Sequence, residues 1–204
     1  MTHPATLVFV GDSITDAGRD RADPASLGDG YVQLVADELA RRGTSVRIVN
    51  AGIAGNRAVD LERRWGTDVA AEGADVLTVF VGVNDMWRRY DQDDPTSAEA
   101  FEATYRRLLA DGGGRVILVE PFFLPVRDDQ AGWLDDLDGK RAAVRRIAEE
   151  TGAALVSLHE ILTAAGAASS PASIAPDGVH PTPEGSRLIA EAWLEAYDTG
   201  AASA

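Results

Sequence analysis

A serine hydroxyl is a weak nucleophile until a neighbouring base takes its proton. In this chain Ser13 follows a short apolar run, residues 7–10, and the pair Gly11-Asp12. A turn there would expose its oxygen. Three histidines compete for the role of base. His3 lies in a terminus expected to fray, and His159 follows another apolar run and reads as structural. His180 stands three residues after Asp177 in Asp177-Gly178-Val179-His180. One short turn can hold that carboxylate beside that imidazole, fixing its tautomer and stabilising the imidazolium formed during acyl transfer. An acyl transfer also needs donors aimed at the developing oxyanion. The backbone N–H groups of Ser13 and Gly55 could serve, with the side-chain amide of Asn84 as a third.

Each of these residues also has an ordinary reading. Ser13 could cap the segment after it. Asp177 could be a turn residue before Gly178, and His180-Pro181 a helix-entry turn. Asp12 and Asp85 are expected to bond nearby backbone rather than react. Asn50 is expected to satisfy buried backbone groups. Trp87 and Tyr90 could stack on a sugar ring or pack their own loop. Phe122, Phe123, Leu124 and Trp133 could line a pocket or fill the core.

These residues must be positioned by regular elements. Five Val-, Leu- and Ile-rich runs, residues 7–10, 46–49, 76–81, 116–119 and 154–158, do not alternate with polar residues. That pattern suits parallel strands buried on both faces. Helical spacing links Tyr31, Leu34, Val35 and Leu39, and again Phe101, Tyr105, Leu108 and Leu109. Two further helices are expected over 136–151 and 183–197, and the stretch 164–176 reads as a loop. The acidic run 135–138 lacks the spacing of a calcium loop and suits a helix N-terminus. Alternating strand and helix predicts an α/β fold. Ligands then bind outside the carboxyl ends of the strands, which is where Ser13, Gly55, Asn84, Asp177 and His180 fall.

Composition narrows the function classes. A chain of 204 residues favours one domain. The absence of cysteine excludes disulfides, thiolate nucleophiles and cysteine-rich zinc sites. A formal net charge of −14 argues against nucleic acid and anionic membrane surfaces as partners. The opening residues lack a secretory pattern, and no run reaches the length of a membrane span. The cytoplasm is the expected location.

The blocks Gly11-Asp12-Ser13-Ile14, Gly55, Gly82-Val83-Asn84-Asp85 and Asp177-Gly178-Val179-His180 stand in an order that resembles the SGNH (GDSL-type) hydrolase superfamily. The resemblance covers nearly the whole chain. It implies a three-layer α/β/α, flavodoxin-like sandwich with a mostly parallel five-stranded sheet, as one domain over residues 1–204. It implies Ser13 as nucleophile, His180 as base, Asp177 as its partner, and an oxyanion hole of Ser13, Gly55 and Asn84. Asp12, Trp87 and Tyr90 are candidates for substrate contact. No metal or other cofactor is implied.

Residues 11–19, 28–32, 50–56 and 84–90 are similar to the intracellular acetylxylan esterase branch, with Ala51 and Ala54 as departures from its pattern. The expectation is a serine esterase that removes short acyl groups, acetyl first, from xylo-oligosaccharides or related carbohydrates. The substrate is thus a small-molecule ester, and the branch makes a homo-oligomer an expectation. The rivals are a lysophospholipase, thioesterase or arylesterase of the same superfamily, and a carbohydrate-binding protein without catalysis.

Overall fold

The computed structural model describes residues 4–110 and 113–201. The apolar runs become five strands, β1 (Ala5–Gly11), β2 (Val46–Gly52), β3 (Val76–Phe80), β4 (Arg115–Val119) and β5 (Ala154–Val156). They form one sheet in the order β2-β1-β3-β4-β5, with every neighbouring pair parallel. The helices are α1 (Ser13–Asp16), α2 (Tyr31–Arg41), α3 (Ala58–Asp68), α4 (Val83–Asp91), α5 (Ala98–Ala110), α6 (Trp133–Thr151), α7 (Leu158–Ala168), α8 (Pro171–Ile174) and α9 (Pro183–Ala201). The expected α/β class and three-layer sandwich are therefore present, with an entirely parallel sheet.

Successive strand residues face opposite sides of a sheet, and the core divides accordingly. Leu7, Phe9 and Ile117 pack with α2, α7 and α9. Val8, Val10, Leu77, Val79 and Leu118 pack with α3, α5 and α6. Phe9 lies between the rings of Trp193 and Tyr31, at 4.9 and 5.9 Å. The Trp193 indole N–H donates to Thr78 Oγ1 at 2.9 Å, so the one polar side chain facing that layer from β3 is satisfied. Burying an aliphatic or aromatic side chain stabilises by about 1.5–3 kcal/mol. An exposed ion pair contributes about 0–1 kcal/mol. The two apolar layers, not the many Arg–carboxylate pairs on the surface, hold the fold.

Several elements differ from the sequence expectation. Leu158 opens α7 rather than ending β5, and α6 begins at Trp133, ahead of Asp136. The stretch 164–176 is not a loop. Its alanines continue α7, whose Leu162 and Gly166 are buried, and Ser170 then caps α8 by accepting the Ser173 N–H with Pro171 in the first turn. Alanine is the best helix former, and burial of one face outweighs the run's polar look. Helices α1, α3, α4, α7 and α8 were not expected. Asp135 and Asp136 do lie in the first turn of α6.

The register sets Gly11 beside Gly52 on one side and Phe80 on the other. A Cβ at Gly52 would lie 2.2 Å from the Asp16 backbone nitrogen, so α1 rests directly on the end of β2. Gly52→Ala is expected to destabilise the protein by about 1–3 kcal/mol through overpacking. An unchanged Tm would show that α1 yields at no cost.

Candidate active site

The chain leaves β1 toward β2 on one side and later reaches β3 on the other, so the carboxyl end of β1 is the topological switch point of the sheet. Ser13 follows β1 there as the first residue of α1. Gly55 follows β2, and Asn84 lies in the first turn of α4 after β3. Asp177 and His180 arrive on the turn between α8 and α9.

Asp177 Oδ2 lies 2.6 Å from His180 Nδ1, and Oδ1 accepts the backbone N–H groups of Val179 and His180 at 2.9 and 2.8 Å. Partial burial pushes the Asp177 carboxyl upward. The imidazole and the two N–H donors outweigh this and hold it below the ordinary carboxylate range. An ionised carboxylate only accepts, so the ring proton sits on Nδ1. Nε2 is then an acceptor, and the Ser13 hydroxyl meets it at 2.9 Å. A relay of this geometry can remove a proton from the serine and return it to a leaving group.

A hub of polar contacts holds the surrounding loops. Arg64, on α3, donates to Ala51 O and Asn56 Oδ1 at 2.8 Å and to Gly11 O at 3.2 Å. Asn50 donates to Thr15 O and Leu27 O at 2.6 and 2.7 Å and accepts the Gly52 N–H at 2.9 Å, as expected of a residue satisfying buried backbone. Asp16 Oδ2 accepts the Ala54 N–H at 2.9 Å. Gly55 has φ +80, a conformation natural to glycine, in the turn closed by Asn56 N–H and Ile53 O at 3.2 Å. Asn84 is buried. Its Nδ2 donates to Asn56 O at 3.0 Å, and its Oδ1 accepts from Arg88 at 3.2 Å. Sequence reasoning missed Arg64, which belongs to no local pattern, and gave Arg88 no role although it lies in the 84–90 block. Asp16, inside the 11–19 block, and Arg88, one helical turn after Asn84, were within reach of the sequence.

The aromatic residues separate. Tyr90 stacks on Trp133 with centroids 4.6 Å apart and planes at 10°, and its hydroxyl donates to Gly132 O at 3.3 Å. It packs its own neighbourhood. Trp87 stands beside the imidazole, with centroids 6.1 Å apart. Phe122, Phe123 and Leu124 belong to the core. A groove of about 900 Å³ runs along β5 and α9 past Gly152, Ala154 and Ala196, and neither Ser13 nor His180 lines it. Chemistry rather than volume marks the site. Among those residues no cluster of metal-ligating side chains occurs, and no helix is long and apolar enough to cross a membrane.

Asp12 is fully buried beneath Ser13, which leaves it no surface to offer a substrate. Its Oδ1 accepts the Ile14 N–H at 3.0 Å, and its Oδ2 has no partner. Burial pushes its carboxyl from 3.8 up to about 7. Asp85 is also pushed up to about 7 by burial, against the Ala58 N–H and the charges of Lys140 and Arg57. Between pH 3.8 and about 7 the native state keeps the Asp12 proton that the unfolded chain has released. Stability therefore falls as pH rises through that window. Asp12→Asn keeps the cap to Ile14 and is expected to flatten part of that fall, leaving the share due to Asp85. Urea midpoints across the same pH range check this, and an unaltered slope in the variant would refute it.

The sequence model of the GDSL-like lipase/acylhydrolase family matches residues 9–188. An acetylxylan esterase from Geobacillus stearothermophilus is 35% identical over 201 residues, 92% of this chain and 91% of that protein. Its crystal structure superposes with a TM-score of 0.87 at 34% identity, covering 94% of this chain and 93% of that one. Two forms of the same esterase described as catalytic mutants carry alanine in place of a serine and of a histidine, and another form is described as an acetyl-xylooligosaccharide esterase. An alpha/beta hydrolase from the metagenome of Lake Arreo, Spain, matches with a TM-score of 0.87 at 33% identity, covering 95% of this chain and 96% of that one. The chain belongs to the GDSL-like lipase/acylhydrolase family and is a serine carboxylic-ester hydrolase of the SGNH fold.

Proposed function

We propose that this protein removes acetyl groups from xylo-oligosaccharides or closely related carbohydrates, with Ser13, His180 and Asp177 as its catalytic residues. Ser13 Oγ attacks the ester carbonyl while His180 Nε2 takes its proton. The oxyanion is held by the Ser13 and Gly55 N–H groups and by Asn84 Nδ2. One such donor lowers a barrier by about 2.7–4 kcal/mol. His180 then protonates the departing sugar hydroxyl. A water molecule gives a proton to His180 as it attacks acyl-Ser13, and His180 returns that proton to Ser13 Oγ as acetate leaves. Asp177 stays ionised throughout and stabilises the imidazolium.

The observation that carries this reading is the unbroken Ser13–His180–Asp177 relay, at 2.9 and 2.6 Å, at the switch point of a parallel sheet. Two features favour a short acyl group on a bulky alcohol. The side chains of Phe122, Phe123 and Leu124 are spent in the core, so they form no channel for a long acyl chain. The His180 side chain is 49% exposed, which leaves room for a large leaving group, and Trp87 beside it offers an aromatic face to a sugar. The Geobacillus relative, an acetylxylan esterase, supports the same substrate class.

The test compares acetylated xylo-oligosaccharides with a series of 4-nitrophenyl acyl esters. Acetate release from the sugar and a steep fall beyond short acyl chains are expected. Indifference to the sugar with activity on long chains would move the enzyme to the lysophospholipase, thioesterase or arylesterase group. Sugar binding without turnover would leave a carbohydrate-binding protein. Ser13→Ala is expected to lose at least about 10⁴-fold in kcat, and full retention would mean another nucleophile. Asp177→Asn is expected to lose about 10⁴-fold in kcat through the wrong imidazole tautomer. A loss below tenfold would remove Asp177 from the relay.

A further inference from the structure

We infer that Arg88 is a positioning residue for the oxyanion hole, because it fixes which end of the Asn84 amide faces the reacting carbonyl. The inference rests on the role proposed above for Asn84. A primary amide is nearly symmetric in shape and opposite in polarity at its two ends. Turned over, Asn84 would present a carbonyl oxygen where a negative charge develops. Two partners of opposite kind forbid that orientation. Asn56 O can only accept, and it takes an Nδ2 hydrogen at 3.0 Å. Arg88 can only donate, and it gives a hydrogen to Oδ1 at 3.2 Å. The second Nδ2 hydrogen is then left to the oxyanion.

Arg88 is itself held. It lies one turn beyond Asn84 on α4, pairs with Asp91, and rests over the Trp87 ring at 5.9 Å. Its side chain is 19% exposed, so the bond to Asn84 acts largely out of water. The neighbour contributes because Asn84 is buried and cannot recruit solvent to replace the guanidinium.

A double-mutant cycle on 4-nitrophenyl acetate tests this, using Arg88→Met, Asn84→Ala and the pair, with Tm measured for each. Arg88→Met is expected to lower kcat about 10- to 100-fold with KM changed less than about twofold, the signature of an interaction made in the transition state. In the Asn84→Ala background the same change is expected to alter kcat less than about twofold, because its target is gone. Arg88→Lys, which keeps a donor, is expected to recover part of the loss, and it enters the cycle in place of Arg88→Met should the latter not fold. Equal losses in both backgrounds, or an effect on KM alone, would overturn the inference and assign Arg88 to substrate contact. If Asn84→Ala cuts kcat and Arg88→Met does not, only this inference fails. If Asn84→Ala leaves kcat intact, the reading of the oxyanion hole fails with it.

Discussion

The strands at the centre of a parallel sheet end in carbonyl and N–H groups that no further ladder can satisfy. Left unpaired in a buried place, each would cost about 1–3 kcal/mol. Here those groups sit where the chain must also present Ser13, the proposed nucleophile. The protein resolves the conflict with side chains that bond the strand ends to one another. The Arg64 guanidinium takes the carbonyls of Gly11 and Ala51 together with the Asn56 side chain. Asn50 joins Gly52 to the backbone of Thr15 and Leu27. Asp16 takes Ala54. Hydrogen bonds to charged groups are the stronger ones, at about 1.5–3 kcal/mol each. The loops bearing Ser13 and Gly55 are thereby fixed to the sheet, and backbone contact at Gly52 leaves no slack between them.

Carboxylates around the site differ by environment. Asp177 is half-exposed and richly hydrogen-bonded, and it stays ionised. Asp12 and Asp85 are buried, and burial pushes both up to about 7. The same functional group thus serves as a fixed charge beside the imidazole and as a reluctant acid beneath the serine. Desolvation sets the second case and donors set the first. The formal charge of −14 says nothing of this division.

Local chemistry was legible in the sequence and long-range pairing was not. The five apolar runs announced their strands because burial on both faces leaves no polar alternation. The Asp177 to His180 spacing announced a carboxylate–imidazole contact because one turn can make it. The helices α3 and α4 were missed because functional and capping residues interrupt their apolar spacing, as with Asn84 and Asp85 in α4. The stretch 164–176 was misread because small residues look like a loop until the helix's buried face is known. Arg64 and Arg88 were missed for another reason. Arg64 acts through partners distant in the chain, Arg88 through a turn of a helix that the sequence did not announce, and eighteen arginines in the chain look alike on paper.

The single lysine makes the same point from the other side. Lys140 is fully buried, with Nζ donating to Asp136 Oδ2 at 2.8 Å and its charge felt by Asp85. Every other long cation in the chain is arginine. A guanidinium brings five N–H donors in a rigid plane, and each would need an acceptor in a closed space. An ammonium is compact and brings three. Lysine therefore suits a pocket between α4 and α6 that offers a carboxylate, a backbone oxygen and a second carboxyl nearby. Asp136, in the first turn of α6, also takes Arg89 of α4 on its Oδ1, so one carboxylate joins the buried ammonium to the neighbouring helix. Asn84, Trp87 and Arg88 all ride on that helix. The helix carrying the proposed oxyanion donor is thus tied, through Arg89 and Asp136, to a cation that never approaches the substrate.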